Sequence, residues 1–229
     1  MLRDLPVFLA ILVLAACDVS ICTDDCVSTG DGGPTIKGSG TLKTEARPVD
    51  KFTAIRLSVS GDLRIERSGT ETLTVTADDN LVSLFTSEVK DGTLELSVAK
   101  GKSLSGKRPV YRVTISELKK LDVTGSGTVD ATKLDGDALS MSISGSGTAT
   151  LAGRVDDLTV SITGSGSFNG AELTAKRAKV DVTGSGEVTV NASEELDAEV
   201  TGSGSIWYLG SPKLTPSVSG SGSIKKKPI

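Results

Sequence analysis

Leu121-Asp-Val-Thr-Gly-Ser-Gly-Thr-Val129 returns along the chain as Met141-Ser-Ile-Ser-Gly-Ser-Gly-Thr-Ala149, Val160-Ser-Ile-Thr-Gly-Ser-Gly-Ser-Phe168 and Val180-Asp-Val-Thr-Gly-Ser-Gly-Glu-Val188. It returns again as Ala198-Glu-Val-Thr-Gly-Ser-Gly-Ser-Ile206 and Pro216-Ser-Val-Ser-Gly-Ser-Gly-Ser-Ile224. The tripeptide Gly-Ser-Gly begins at Gly125, Gly145, Gly164, Gly184, Gly202 and Gly220, at spacings of 20, 19, 20, 18 and 18 residues. Two residues before each stands a β-branched side chain: Val123, Ile143, Ile162, Val182, Val200 or Val218. Apolar and polar residues alternate on both sides of the tripeptide, the period of a half-buried strand. Each unit reads as strand, glycine turn, strand and a return segment of about six to eight residues. Glycine suits both corners of the turn, because positive φ is cheap only without a Cβ.

No single unit buries its own apolar face. Stacking the units about 4.8 Å apart buries a continuous column and pairs each backbone with its neighbours. The expectation is an all-β fold: a right-handed parallel β-helix, or β-solenoid, with coils of about 18–20 residues. Consecutive antiparallel hairpins compete with it, since a short glycine turn also closes a hairpin. The near-constant period favours the solenoid.

Upstream the frame continues in degenerate form. Ile55, Leu57 and Val59 alternate before Ser60-Gly61, and Leu63 and Ile65 after it, as though the turn had lost two residues. Residues Ile36 to Leu42 enclose another Gly-Ser-Gly and read as a partial copy. Between Ser68 and Ser116 the strands alternate without the tripeptide. The chain thus divides into an amino-terminal solenoid half with longer coils, 35–120, and a regular half, 121–229. The segment 101–109 (Gly-Lys-Ser-Leu-Ser-Gly-Lys-Arg-Pro) reads as an exposed basic loop.

Composition narrows the chemistry. Among 229 residues, 25 are Lys or Arg and 29 Asp or Glu, and the net charge of −4 excludes the basic face that a nucleic-acid binder needs. The chain has 0 His, which removes Ser-His-Asp and Cys-His nucleophile systems and histidine metal sites. With 4 Phe, 2 Tyr and 1 Trp, the core must be thin layers of Val, Ile, Leu and Ala.

The first residues give an address. Leu5 to Ala16 are apolar, too short a run for a bilayer but suited to a signal peptide. Leu14-Ala15-Ala16-Cys17 resembles a bacterial lipobox, which makes 1–16 a lipoprotein signal peptide and Cys17 the lipidated residue, carrying acyl chains of the palmitate type. Asp18 resembles an inner-membrane retention signal, but sorting rules differ among bacteria, and the choice of membrane stays open. Residues 17–34 are Gly-, Asp- and Ser-rich and read as a flexible tether. Within it, Cys22 and Cys26 can form a disulfide outside the cytoplasm, remain free thiols, or bind a metal weakly with Asp24 and Asp25. The location implied is the bacterial cell envelope, with the lipid in a membrane.

Phe52-Thr-Ala-Ile55 leading to Val59-Ser-Gly61, Leu73-Thr-Val-Thr-Ala-Asp-Asp-Asn80, Lys90-Asp-Gly-Thr-Leu94 and the serial Val-Thr-Gly-Ser-Gly units together resemble the putative autotransporter adhesin head domain family, also called the head GIN domain. The resemblance covers about residues 44–224. It implies a right-handed β-helix behind a lipoprotein signal, and it brings no catalytic residue with it.

Several side chains are candidates for a site. Asp122, Asp181 and Glu199 fall at one outward position, but Ser142, Ser161 and Ser217 interrupt them, as in a solvated strand face. The glycine turns lack the Lys and helix of a phosphate loop and the acidic pattern of calcium-binding β-rolls. The Thr/Ser row before each turn fits a tight turn better than a ligand array. Trp207 and Tyr208 are adjacent, so alternation sends them to opposite faces. They are the candidate ligand contacts, although a terminal cap for the core is the favoured role. Lys225 to Lys227 read as a guard against edge pairing.

The expectation is a non-enzymatic exported lipoprotein that displays a rigid solenoid for surface interaction, adhesion or envelope structure. Its partners are a membrane through the lipid anchor and a glycan or envelope protein, with no nucleic acid, cofactor or metal. A polysaccharide-active β-helix enzyme is the alternative; it needs clustered carboxylates in a groove. A partner in envelope signalling is a third reading, with loop 101–109 as its handle.

Overall fold

The computed structural model describes residues 35–228; Cys17, Cys22, Cys26 and the rest of 1–34 lie outside the described residues, as does Ile229. Strands β1 (Thr35–Lys37), β2 (Leu42–Arg47), β3 (Ala54–Leu57), β4 (Asp62–Arg67) and β5 (Thr72–Asp78) come first. A single 3-10 turn at Val82–Leu84 separates them from β6 (Phe85–Lys90), β7 (Thr93–Val98), β8 (Ser103–Ser105), β9 (Val110–Ile115) and β10 (Lys120–Gly125). The repeat then gives four long strands, β11 (Thr128–Gly145), β12 (Thr148–Gly164), β13 (Ser167–Gly184) and β14 (Glu187–Gly202). Strands β15 (Ser205–Gly210), β16 (Lys213–Gly220) and β17 (Ser223–Lys226) complete the chain described.

From β10 onward every pairing is parallel, and equivalent residues stack: Val123 on Ile143, then Ile162, Val182, Val200 and Val218. This is a β-solenoid, and the hairpin reading fails for this region. Val129, Ala149, Phe168, Val188 and Ile206 form a second buried column beyond the turn. The return segments are not loops. Each long strand runs from one glycine turn to the next, and shifts of register at Ala131/Leu134, Thr150/Ala152 and Gly170/Thr174 absorb the unequal unit lengths.

The two glycines of each turn serve different purposes, against the expectation that both need positive φ. Only the first has it, as at Gly164 (φ 117°). A Cβ there would stand 2.6 Å from the Gly145 carbonyl oxygen, the acceptor for the Ser165 N–H in the rung between coils. The second glycine is a matter of space: a Cβ on Gly166 would meet Ile143 Cγ2 at 2.6 Å. It faces inward against the β-branched column of the preceding coil.

The frame does extend upstream, but the turn at Ser60 has lost nothing. Leu57 pairs with Val123 and Leu63 with Val129, so the two turns are equally long and Val59 stands where the repeat has Gly125. Ser60 Oγ lies 2.8 Å from Ser126 Oγ, which completes the stack of turns. Two further parallel pairings follow, β3 with β7 and β4 with β9.

Beyond these the expected longer parallel coils give way to antiparallel neighbours. β6 runs antiparallel to β7, β5 to β9 and β2 to β5. Alternation marks a strand but not the direction of its neighbour; of these pairs only β6 and β7, joined by Asp91 and Gly92, are linked too briefly for a parallel crossover. The partial copy at Ile36–Leu42 is also not a coil. β1 pairs only with β8, and the Asn80 side chain accepts from Ser39 N–H and donates to the Lys37 carbonyl.

Candidate binding surfaces

Alternation places the two aromatic residues of β15 as expected. Tyr208 pairs in register with the buried Val190 and packs against the core. Trp207 lies on the outer face between Thr189 and Lys225 in register, with Lys225 Nζ 6.0 Å from the ring centroid. Thr189, on the outer row beneath it, is only 6% exposed. Trp207 is therefore half-buried, shielding a hydroxyl while its ring meets a cation.

The outer rows carry both paired and unpaired charges. Asp122, Ser142, Ser161, Asp181, Glu199 and Ser217 occupy one row, and Asp122 meets Lys120 at 2.9 Å and Arg56 at 3.6 Å. Arg177 donates to both oxygens of Asp157, at 2.6 and 2.8 Å. Those hydrogen bonds hold the Asp157 carboxyl below its ordinary value and raise the guanidinium. The Thr/Ser row beside the turns, Thr124 to Ser219, is exposed throughout.

Segment 101–109 is basic and largely exposed, but it is tied down rather than loose. β8 pairs with β1, the Lys107 N–H donates to Asp78 Oδ2 at 3.0 Å, and the Arg108 guanidinium donates to the Ser126 carbonyl at 2.6 Å. Asp78 is 1% exposed, and a Cβ on Gly38 or Gly106 would collide with its carboxylate. Its Oδ1 has no hydrogen-bond partner. Alternation along β5 puts Ala77 inside and assigns Asp78 to solvent, so no sequence signal marks it as buried. Between this segment and the first turn lies an open cleft of about 420 Å³, with Val59, Leu81, Phe85 and Val98 along its floor and Lys102 and Lys107 at its rim.

Among the described residues Tyr111 is the other buried side chain with an unpartnered polar atom; burial pushes its hydroxyl well above the ordinary tyrosine value. Among the described residues no group of three or more Cys, Asp or Glu side chains is placed to hold a metal ion. Among the same residues no helix is long and apolar enough to cross a membrane.

Comparison with known proteins gives a consistent result. The family model described as "Putative auto-transporter adhesin, head GIN domain" matches residues 51–212. A solved structure called a putative adhesin, from Bacteroides fragilis, is 29% identical at a TM-score of 0.68, over 84% of this chain and 100% of that one. Another, called a putative lipid binding protein, from Parabacteroides distasonis, is 27% identical at 0.55, over 85% and 100% of the two chains. A putative adhesin from Parabacteroides merdae shares the fold at 22% identity and 0.51, over 86% and 100%. No curated protein matches the chain.

Proposed function

We propose that this chain, which belongs to the putative auto-transporter adhesin, head GIN domain family, is an exported lipoprotein that holds a rigid solenoid off a membrane and presents its outer rows to an envelope partner. The observation that carries the reading is the register. Val123, Ile143, Ile162, Val182, Val200 and Val218 stack, and so do the outward residues between them. The outer face therefore repeats similar chemistry about every 4.8 Å. Such rows suit a repetitive partner, a glycan chain or an envelope protein, because each weak contact raises the effective concentration for the next. The family's name and that of the Bacteroides fragilis structure speak of adhesion, not catalysis.

Cys17 carries the anchor and 17–34 the tether in this reading. Two or more acyl chains exceed the marginal membrane binding of a single one. Cys17→Ala moves the protein from the membrane fraction to the soluble one. A variant that stays with the membrane rejects the anchor, and a full-length protein that binds no component of a glycan and envelope-protein screen rejects display.

A second reading comes from the cleft with the apolar floor and the Lys102 and Lys107 rim, which suits an anionic amphiphile. The name of the Parabacteroides distasonis structure points the same way. Capture by vesicles of anionic, but not zwitterionic, phospholipid by the Cys17→Ala protein separates this reading from glycan display.

A further inference from the structure

The outer face of the four strands β5, β9, β4 and β11 carries an arrangement that packing does not require. Arg64 of β4 pairs in register with Arg112 of β9, which puts two guanidinium side chains on adjacent rungs, about 4.8 Å apart. Both are exposed, and among the described residues neither makes a hydrogen bond or an ion pair. Like charges directly opposite one another destabilise a sheet. Other arginines meet carboxylates: Arg56 meets Glu95, Arg67 meets Asp135 and Arg177 meets Asp157. The carboxylates nearest the pair do not neutralise it. Glu66 is held by Lys133 at 2.5 Å, and Asp130, in register on the far side of Arg64, makes no ion pair.

Hydroxyls surround the pair. Thr74 is the register partner of Arg112 on its other side, and Thr72, Thr114 and Thr132 lie along the next row. Thr72 and Thr114 are engaged with one another at 2.8 Å, while Thr74 and Thr132 make no side-chain hydrogen bond among the described residues. Together these residues line an open cleft of about 410 Å³, a size within the range of about 300–1,000 Å³ for small-ligand sites.

We infer that this cleft binds a saccharide bearing an anionic group, with Arg64 and Arg112 holding the carboxylate or sulfate and Thr74 and Thr132 meeting ring hydroxyls. Two adjacent planar forks match the oxygens of such a group. A peptide added by strand pairing is disfavoured, since the cleft lies mid-sheet, away from any edge. An acyl chain is disfavoured too, because the apolar residues at the site, Ile65 and Val113, face the core. The inference rests on the display reading and specifies its ligand.

The test is calorimetry on the full chain with a uronic-acid oligosaccharide, a sulfated oligosaccharide and a neutral one of equal length. An anionic oligosaccharide binds at least tenfold more tightly than the neutral one, and its affinity falls as salt rises. Arg64→Gln and Arg112→Gln each weaken it about tenfold with no fall in melting temperature. Arg154→Gln leaves it unchanged; Arg154 also lacks an ion pair but lies among Asp135, Asp137 and Asp156. Preference for the uronate or for the sulfated chain supports the inference and names the group held. Equal binding of the neutral chain, or an Arg154→Gln loss as large as that of Arg112→Gln, overturns it. Wild-type protein that adheres to envelope preparations yet binds no anionic saccharide overturns this inference and leaves display standing. Binding of the saccharide without adhesion to the envelope does the reverse.

Discussion

The stack from Lys120 onward and the region before it are made of the same alternating strands, yet they keep their register by different means. In the stack all neighbours are parallel, and the inner columns flanking the turns match apolar residues from coil to coil. The amino-terminal region places antiparallel strands at its margins and secures them with contacts made once. Arg47 donates to the Phe85 and Val82 carbonyls, Ser116 donates to Glu71, and Asp78 receives the Lys107 N–H. Repetition makes each stack position demanding in the same way, whereas the amino-terminal region has positions with no equivalent elsewhere.

The turns test this contrast most severely. Gly164→Val places a β-branched residue at φ 117° against the Gly145 carbonyl. Strain of about 1–3 kcal/mol and a clash of similar size add to a loss of about 4 kcal/mol or more. At the equivalent place Val59 is already branched, and Val59→Ala costs about 1 kcal/mol. Urea unfolding of both variants with equal losses would erase the distinction between the turns.

Position along the stack comes next. Ile162 has coils on both sides, and Ile162→Ala costs about 3 kcal/mol. Val218 sits in the same column but is 45% exposed, and Val218→Ala costs under about 0.5 kcal/mol. Thermal melts of the pair measure how far burial, rather than column membership, sets the energy.

Asp78→Ala removes the charged acceptor of the Lys107 N–H and costs about 2 kcal/mol. It also releases 101–109, so trypsin cuts after Lys102 or Lys107 far sooner than in the parent. Asp181→Ala, on the stack's outer row, changes neither stability nor cleavage rate.

Titration gives the smallest effect. Asp157 is held below its ordinary value first by its hydrogen bond from Arg177, and Glu71 first by its bond from the Ser116 hydroxyl. A carboxyl depressed in the folded state stabilises above its unfolded value, and that contribution is lost as pH falls through the folded one, below about pH 4. Both carboxyls still reach solvent, so the acid-side slopes are shallow. The Asp157 part fades in high salt because its partner is charged; the Glu71 part persists. Unfolding curves from pH 6 to pH 2, with and without salt, separate them.

Much of the fold was legible in the chain. The stacking of Val123, Ile143, Ile162 and Val182 follows from period and alternation alone, and so does the divergence of Trp207 and Tyr208. The direction of β2, β5 and β6 did not follow, because an alternating strand looks the same to a parallel or an antiparallel neighbour. The role of the second glycine was not legible for a related reason. Its constraint is a contact with Ile143, a coil away, which the local sequence does not contain. Arg64 and Arg112 each stand between apolar residues, Leu63 and Ile65 in one strand, Tyr111 and Val113 in the other. That pattern placed each on an outer face, but only the pairing of β4 with β9 brings them together. Cys17, Cys22 and Cys26 remain matters of sequence.

Each long strand of the stack makes its dense contacts with the strand before and the strand after it, and with little else. Such a molecule is a ruler. Copying or deleting one block of about nineteen codons changes its height by a single step of about 4.8 Å and leaves the footing of the remaining blocks intact. How far the stack extends is thus a quantity that gene duplication can adjust without redesigning any part.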